Sequence, residues 1–280
     1  MNYRLLAIDI DGTLVNSRDE LTPATRAAIA RATAAGIHVV LATGRRYRRA
    51  LNLVESLGLS VPLVTASGAL VKDPVTHETL YRAEFDPAAL RLLLTTLAEQ
   101  GCDPILNGDT HAEGFDFYYT RDGARCPELS EYLERNTGLG RLWADWPENP
   151  PPTLYAGFVI GGLDAMLRLE TLIRRRVPGA LSTHVLRSPR YSGYLCEFSP
   201  AGATKWSAIR RLADAWGIGD EAICAVGDDV NDIPMIRAAG LGVAMGNALP
   251  PVKAVADRIA PSHDADGLAE VVGWLLDGGR

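Results

Sequence analysis

Apolar residues along the chain follow two alternating patterns. Short unbroken runs, Leu5 to Ile8, Ile37 to Val40 and Ala222 to Val226, have the length of strands buried on both faces. Between them lie longer stretches with helical punctuation. Thr22 can cap a helix, Pro23 suits its first turn, an alanine-rich stretch continues to Ala35, and Gly36 stops it. A second helix is expected from Arg46 to Leu57, ended by Gly58. Strands alternating with helices predict a parallel sheet covered by helices on both faces, the Rossmann-like arrangement of α/β proteins.

From about Glu84 the pattern changes. A helix capped by Asp86-Pro87 runs to Gln100, short strand-like runs follow, a helical stretch spans Glu128 to Arg135, and Pro147 to Pro152 reads as a loop. Strand-like Leu154 to Ile160, a helix from Leu163 to Val177, and strands around 180–186 and 194–198 complete a mixed sheet with helices. Phe115 to Tyr119 reads as an amphipathic strand. The expected organisation is a core formed by residues 1–83 and 191–280, with an α/β domain inserted at 84–190 and hinges near 83 and 190.

Candidate chemistry collects where the apolar runs end. Asp9-Ile10-Asp11 follows the first run and precedes Gly12-Thr13, so two carboxylates share one side of a strand end and a turn frees backbone amides for an anion. Thr43-Gly44-Arg45 ends the second run with a hydroxyl and a glycine. Gly202-Ala203-Thr204-Lys205 opens a helical pattern and places an ammonium near a helix N-terminus. Gly227-Asp228-Asp229-Val230-Asn231-Asp232 packs three carboxylates and a carboxamide behind the third run. A helix cap there would use one of them, Asn231 or Asp229, and leave the rest repelling one another without a cation. Active sites of open parallel sheets lie beyond the carboxyl ends of the strands, so Asp9, Thr43 and Asp228 are expected in one cleft.

In order, these four segments resemble the motifs of the haloacid dehalogenase superfamily of phosphohydrolases: DxDGT, a strand-terminal Thr or Ser, a lysine, and GDxxND. The likeness is greatest to the Cof-type, sugar-phosphatase-like subgroup with a large α/β cap, and it extends to Gly242 to Ala248 and Asp266-Gly267-Leu268. Two positions depart from that pattern: Ser67-Gly68 stands where the subgroup has Asn-Gly, and Trp206 follows the lysine in place of glycine.

The resemblance implies a mechanism. Asp9 attacks phosphorus and becomes an aspartyl phosphate. Asp11 begins protonated, gives its proton to the leaving alcohol and then takes one from water. Mg2+ is held by Asp9, the backbone carbonyl of Asp11 and Asp228. Thr43, Lys205 and the amides of Ile10 and Asp11 bind the transferring group, while Gly44, Arg45, Asn231 and Asp232 contact phosphate or support these residues. The implied activity is hydrolysis of small phosphorylated metabolites, sugar phosphates first. A phosphomutase using the same intermediate and a catalytically silent phosphometabolite-binding protein are the alternatives.

Composition narrows the partners. The chain has 280 residues, 47% of them hydrophobic, enough for two cores. Its 28 basic and 34 acidic residues leave a net charge of −6, which offers no general attraction for nucleic acid or an anionic membrane. The arginines at 46, 48, 49 and 174 to 176 read as solvated helix faces, and His111, Tyr118, Tyr119, Arg121 and Tyr191 as core or surface residues. Four cysteines without CxxC or histidine partners, and no signal-peptide pattern, lead to the expectation of a cytoplasmic protein with reduced thiols.

Overall fold

A computed structural model describes residues 3–121, 126–188 and 190–277. The chain forms two compact units, 1–81 with 204–280, and 82–203.

The first unit is built on an eight-stranded sheet. Its order is Arg258–Ile259, Leu241–Ala244, Ile223–Gly227, Leu5–Asp9, His38–Ala42, Leu63–Thr65, Leu70–Lys72 and Thr79–Arg82. The strands are parallel from Arg258–Ile259 to Leu63–Thr65, and Leu70–Lys72 runs antiparallel to its neighbour. Leu5–Asp9 lies at the centre and every residue in it is buried, which explains its unbroken apolar sequence. Asp9 pairs in register with Ala42, and Ile8 with Val226, so the three strands end side by side.

Local sequence sets the flanking helices. Thr22 Oγ1 accepts from the Thr25 amide and starts the helix Pro23–Ala34, and the next helix spans Tyr47–Ser56. Helix Lys205–Ala215 begins with a reciprocal cap: Ser207 N donates to Thr204 Oγ1 at 3.1 Å, and Thr204 N donates to Ser207 Oγ at 3.0 Å. The cap fixes Lys205 as the first residue of the helix. Its apolar face, Ala208, Ile209, Leu212 and Ala213, joins the core around Leu5, Ala7 and Ala225.

The second unit has a six-stranded sheet in the order Leu181–Arg187, Tyr194–Pro200, Leu154–Gly161, Ile105–Gly108, Phe117–Tyr119 and Gly140–Leu142. Helices Pro87–Glu99 and Leu163–Arg176 contribute Leu93, Leu94, Leu97, Met166, Leu169 and Ile173 to one apolar cluster. Helix Pro127–Arg135 contributes Leu129 and Tyr132 to another, with Phe117, Phe158 and Ile160. Tyr194–Pro200 pairs with two strands of this sheet, so the unit continues to Ala203, beyond residue 190 where the sequence pattern puts the boundary. Only Phe117–Tyr119 of the stretch 115–119 is strand, and Tyr118 packs edge-on against Phe115 and Trp143.

The turn after Leu63–Thr65 anchors the first unit internally. Gly68 has φ +104°, and a Cβ on it would overlap the Thr204 carbonyl. We expect Gly68→Ala to destabilise the protein by at least about 2 kcal/mol, since strain and a backbone clash coincide. Urea unfolding followed by circular dichroism measures this, and a loss below about 0.5 kcal/mol would refute the packing argument.

Candidate active site

At the strand ends the first unit assembles the predicted residues. Asp9 closes the central strand and is buried, 4% exposed. Gly12 takes φ +81° in the following turn, where a Cβ would overlap the Asp228 carboxylate, so this loop approaches the third motif through a missing side chain. Thr13 Oγ1 donates to Asp228 Oδ1 at 3.3 Å.

Lys205 links three segments of the chain. Its ammonium donates to Asp9 Oδ1 at 2.5 Å and to Asp232 Oδ1 at 2.7 Å, with only 1% of the residue exposed. Asp232 is fully buried, and its other oxygen accepts from the amides of Asp228 at 3.0 Å and Asp229 at 3.1 Å. Asp229 caps the short turn Val230–Asp232, one of the two residues the sequence pattern offers for that role. Asp232 therefore orients Lys205 and ties the GDDVND loop together.

Carboxylate oxygens of Asp9, Asp228 and Asp232 lie within 4.8 Å of one another. Burial, helped by Asp232 and Asp228, lifts the Asp9 carboxyl well above the usual range against the pull of Lys205. Burial also pushes Asp228 up to about 6, with Asp232 adding to it and the Thr13 hydrogen bond opposing it. Burial works against the charge on Lys205, but attraction to Asp9 and Asp232 outweighs it and raises its pKa. One ammonium among three carboxylates leaves two negative charges uncompensated, the charge of one divalent cation. The donors are all oxygen, which suits magnesium or another hard cation. Asp9 and Asp228 have room to ligate, whereas Asp232 spends its oxygens on Lys205 and two amides.

Thr43 is fully buried at the end of the neighbouring strand, with Oγ1 3.5 Å from Asp11 Oδ2, and it accepts from the Arg45 amide at 3.1 Å. Gly44 is exposed, and Ile10 is buried beside Asp9. Arg45 donates from Nε to both Asp11 oxygens, at 3.1 and 2.9 Å, and from Nη2 to Asp11 and to Asp19. The resemblance implies a protonated Asp11, whereas here Arg45 occupies both its oxygens. Burial pushes its carboxyl up, but the hydrogen bonds and charge of Arg45, with Arg49 and Lys205, outweigh it and hold it below the usual range. Arg121, read as core or surface, pairs with Asp103 at 3.2 Å in the second unit.

The sequence motifs missed two supporting residues. Asn247 Nδ2 donates to the Gly12 carbonyl at 2.8 Å and to Asp228 Oδ2 at 3.3 Å, and its presence in the Gly242 to Ala248 segment is the only sequence signal for it. Ser67 lies beside Gly44, and its place in the Asn-Gly position of the resemblance is the sequence signal for it.

A profile of haloacid dehalogenase-like hydrolases matches residues 6–272. The chain belongs to that family. Membership makes it an enzyme, a phosphoric monoester hydrolase, and agrees with the α/β fold described above. Similar proteins include the 5-amino-6-(5-phospho-D-ribitylamino)uracil phosphatase YcsE of Bacillus subtilis (strain 168), 30% identical over 278 residues that cover 99% of this chain and 97% of that protein. The pyridoxal phosphate phosphatase YbhA of Escherichia coli (strain K12) is 27% identical over 288 residues, covering 97% and 98%. Among solved structures, a haloacid dehalogenase-like hydrolase from Bacteroides thetaiotaomicron is similar with a TM-score of 0.76 and 26% identity, covering 97% of this chain and 99% of that one.

The charge imbalance has a measurable consequence. An acid whose folded-state pKa exceeds its unfolded value costs stability as pH rises from 3.8 towards about 6, and the cost is complete above that. In chelator at pH 8, Asp228→Asn should therefore melt above the wild type, and the gap should close as pH falls through that window. Added magnesium should raise the wild-type midpoint and not that of the variant. A variant that melts lower at pH 8 would show that repulsion is not the dominant effect.

Proposed function

We propose that this hydrolase is a magnesium-dependent phosphatase of small phosphorylated metabolites, sugar phosphates foremost, acting through an aspartyl phosphate on Asp9. The observation that carries the reading is the buried Asp9–Lys205–Asp232 array with Asp228 beside it. Relatives named for a substrate, YcsE and YbhA among them, are phosphatases of small phosphorylated metabolites, which supports the substrate class. Four free cysteines are consistent with a reducing cytoplasm. No helix of the described residues is long and apolar enough to cross a membrane.

Asp9, Asp228 and the backbone carbonyl of Asp11 would hold the magnesium ion. When bound, the ion neutralises charge so that an anionic nucleophile can approach an anionic phosphoryl group. Asp9 presents its carboxylate at a rigid strand end, and Lys205 fixes one oxygen so that the other is free to attack. Thr43 and the amides of Ile10 and Asp11 would hold the phosphoryl oxygens, along with Lys205 as charge develops. Asp11 serves as acid and then base. Arg45 occupies both its oxygens in this structure, so substrate must draw the guanidinium away, and phosphoryl oxygens are the competing acceptor. The unit 82–203 would be the inserted cap, supplying contacts beyond the phosphate.

Phosphate release from a panel of sugar, nucleotide and coenzyme phosphates, with magnesium or chelator, tests this reading. Asp9→Asn should lose at least about 10³-fold in kcat, because no other group present can carry the phosphoryl. Activity that survives in chelator, or in that variant, would end the proposal.

A further inference from the structure

Arg45 is gripped by two carboxylates at once. Besides the bonds from Nε and Nη2 to Asp11, its Nη2 stands 3.3 Å from Asp19 Oδ1. Its Nη1 makes no hydrogen bond among the described residues. The Asp11 and Asp19 side chains are 53% and 62% exposed, while that of Arg45 is only 9% exposed between them.

The loop that carries Asp19 is tied shut. Asn16 N donates to the Glu20 carbonyl and Asp19 N to the Asn16 carbonyl, both at 3.0 Å, and Asn16 Oδ1 accepts from the amides of Arg18 at 2.9 Å and Glu20 at 3.0 Å. Ser17 N donates to Asp264 Oδ1 at 2.9 Å, which pins the loop to a distant segment. Asp19 itself takes a left-handed backbone, φ +59°, which a non-glycine residue keeps only where its surroundings impose it. Its carboxylate is thus delivered by a fixed loop. The backbone of Arg45 is held as well: its amide donates to Thr43 Oγ1 at 3.1 Å, and its carbonyl accepts from Ala66 N at 2.9 Å. The Arg45 side chain can therefore turn while both anchors stay in place.

In the proposed mechanism Asp11 gives its proton to the leaving alcohol only once Arg45 has released its oxygens. A guanidinium that let go of Asp11 with no second carboxylate in reach would lose its strongest contact, and Asp19 already stands beside the Nη2 that must transfer. Turning Nη2 wholly to Asp19 frees Asp11, and Nε and Nη1 are then the donors left for phosphoryl oxygens. We propose that Asp19 is a positioning residue, the second seat onto which Arg45 swings to release Asp11 when a phosphate monoester binds. This rests on the phosphatase reading above.

Asp19→Gly removes the carboxylate and relieves the left-handed backbone, so the variant folds. Asp19→Asn keeps an acceptor oxygen without the charge and tolerates the same backbone. With magnesium, kcat/KM for the best sugar phosphate of the panel should fall about tenfold in Asp19→Gly, the loss expected for one hydrogen bond between charged groups, and recover in part in Asp19→Asn. For p-nitrophenyl phosphate, whose leaving group departs without a proton, the loss should stay below about threefold. A merely structural role would lower both substrates alike. A ratio between the two substrates that is unchanged or higher in Asp19→Gly overturns the inference. A wild type that releases phosphate from neither substrate would instead remove the phosphatase reading itself, so the two failures are separable.

Discussion

A lysine ammonium held between Asp9 and Asp232, with 1% of the residue exposed, is the contact on which the rest of the site depends. A buried charge is tolerated only when paired and hydrogen-bonded, and removing one partner would leave an uncompensated charge. Three distant segments must therefore arrive together: the end of the central strand, the first residue of helix Lys205–Ala215, and the loop after Ile223–Gly227. The Thr204–Ser207 cap fixes the second, and the two amides bound by Asp232 fix the third. The fold supplies the strand ends, and the charge array locks them in register.

The same array explains why the site favours a cation. Lys205 takes one oxygen of Asp9 and one of Asp232, whose other oxygen is held by two amides, and among the described residues Asp228 has only Thr13 and Asn247 as neutral donors. Burial, with the charge of Asp232, pushes Asp228 up to about 6 despite the Thr13 hydrogen bond. A divalent cation held there would relieve the repulsion among the Asp9, Asp228 and Asp232 carboxylates.

Much of this was legible in the sequence because the signals are local. Thr22-Pro23 and Asp86-Pro87 carry local helix-start signals, and an apolar run ending in Asp-Ile-Asp reads as a buried strand that delivers carboxylates at its end. The convergence of Asp9, Thr43 and Asp228 follows from parallel topology, where strand ends of one polarity share an edge of the sheet. What the sequence withheld depends on long-range geometry. Strand Tyr194–Pro200 has the same local pattern in either unit, and only its pairing with Leu154–Gly161 assigns it to the second. Asn247 and Ser67 reach the site across more than one chain reversal, with no periodicity to mark them.

Asp11 shows how a contact from another segment bears on a motif residue. It sits in the turn after the strand that ends at Asp9, and Arg45, which belongs to another strand end and also reaches Asp19, donates to both its oxygens. A guanidinium fork matched to both oxygens of a carboxylate is a strong and geometrically selective clamp. In the proposed mechanism Asp11 would act as an acid only after that clamp opens, and a dianionic phosphoryl group is a ligand suited to open it. The substrate would then create the acid that protonates its own leaving group. In this structure the pair keeps both Asp11 oxygens occupied.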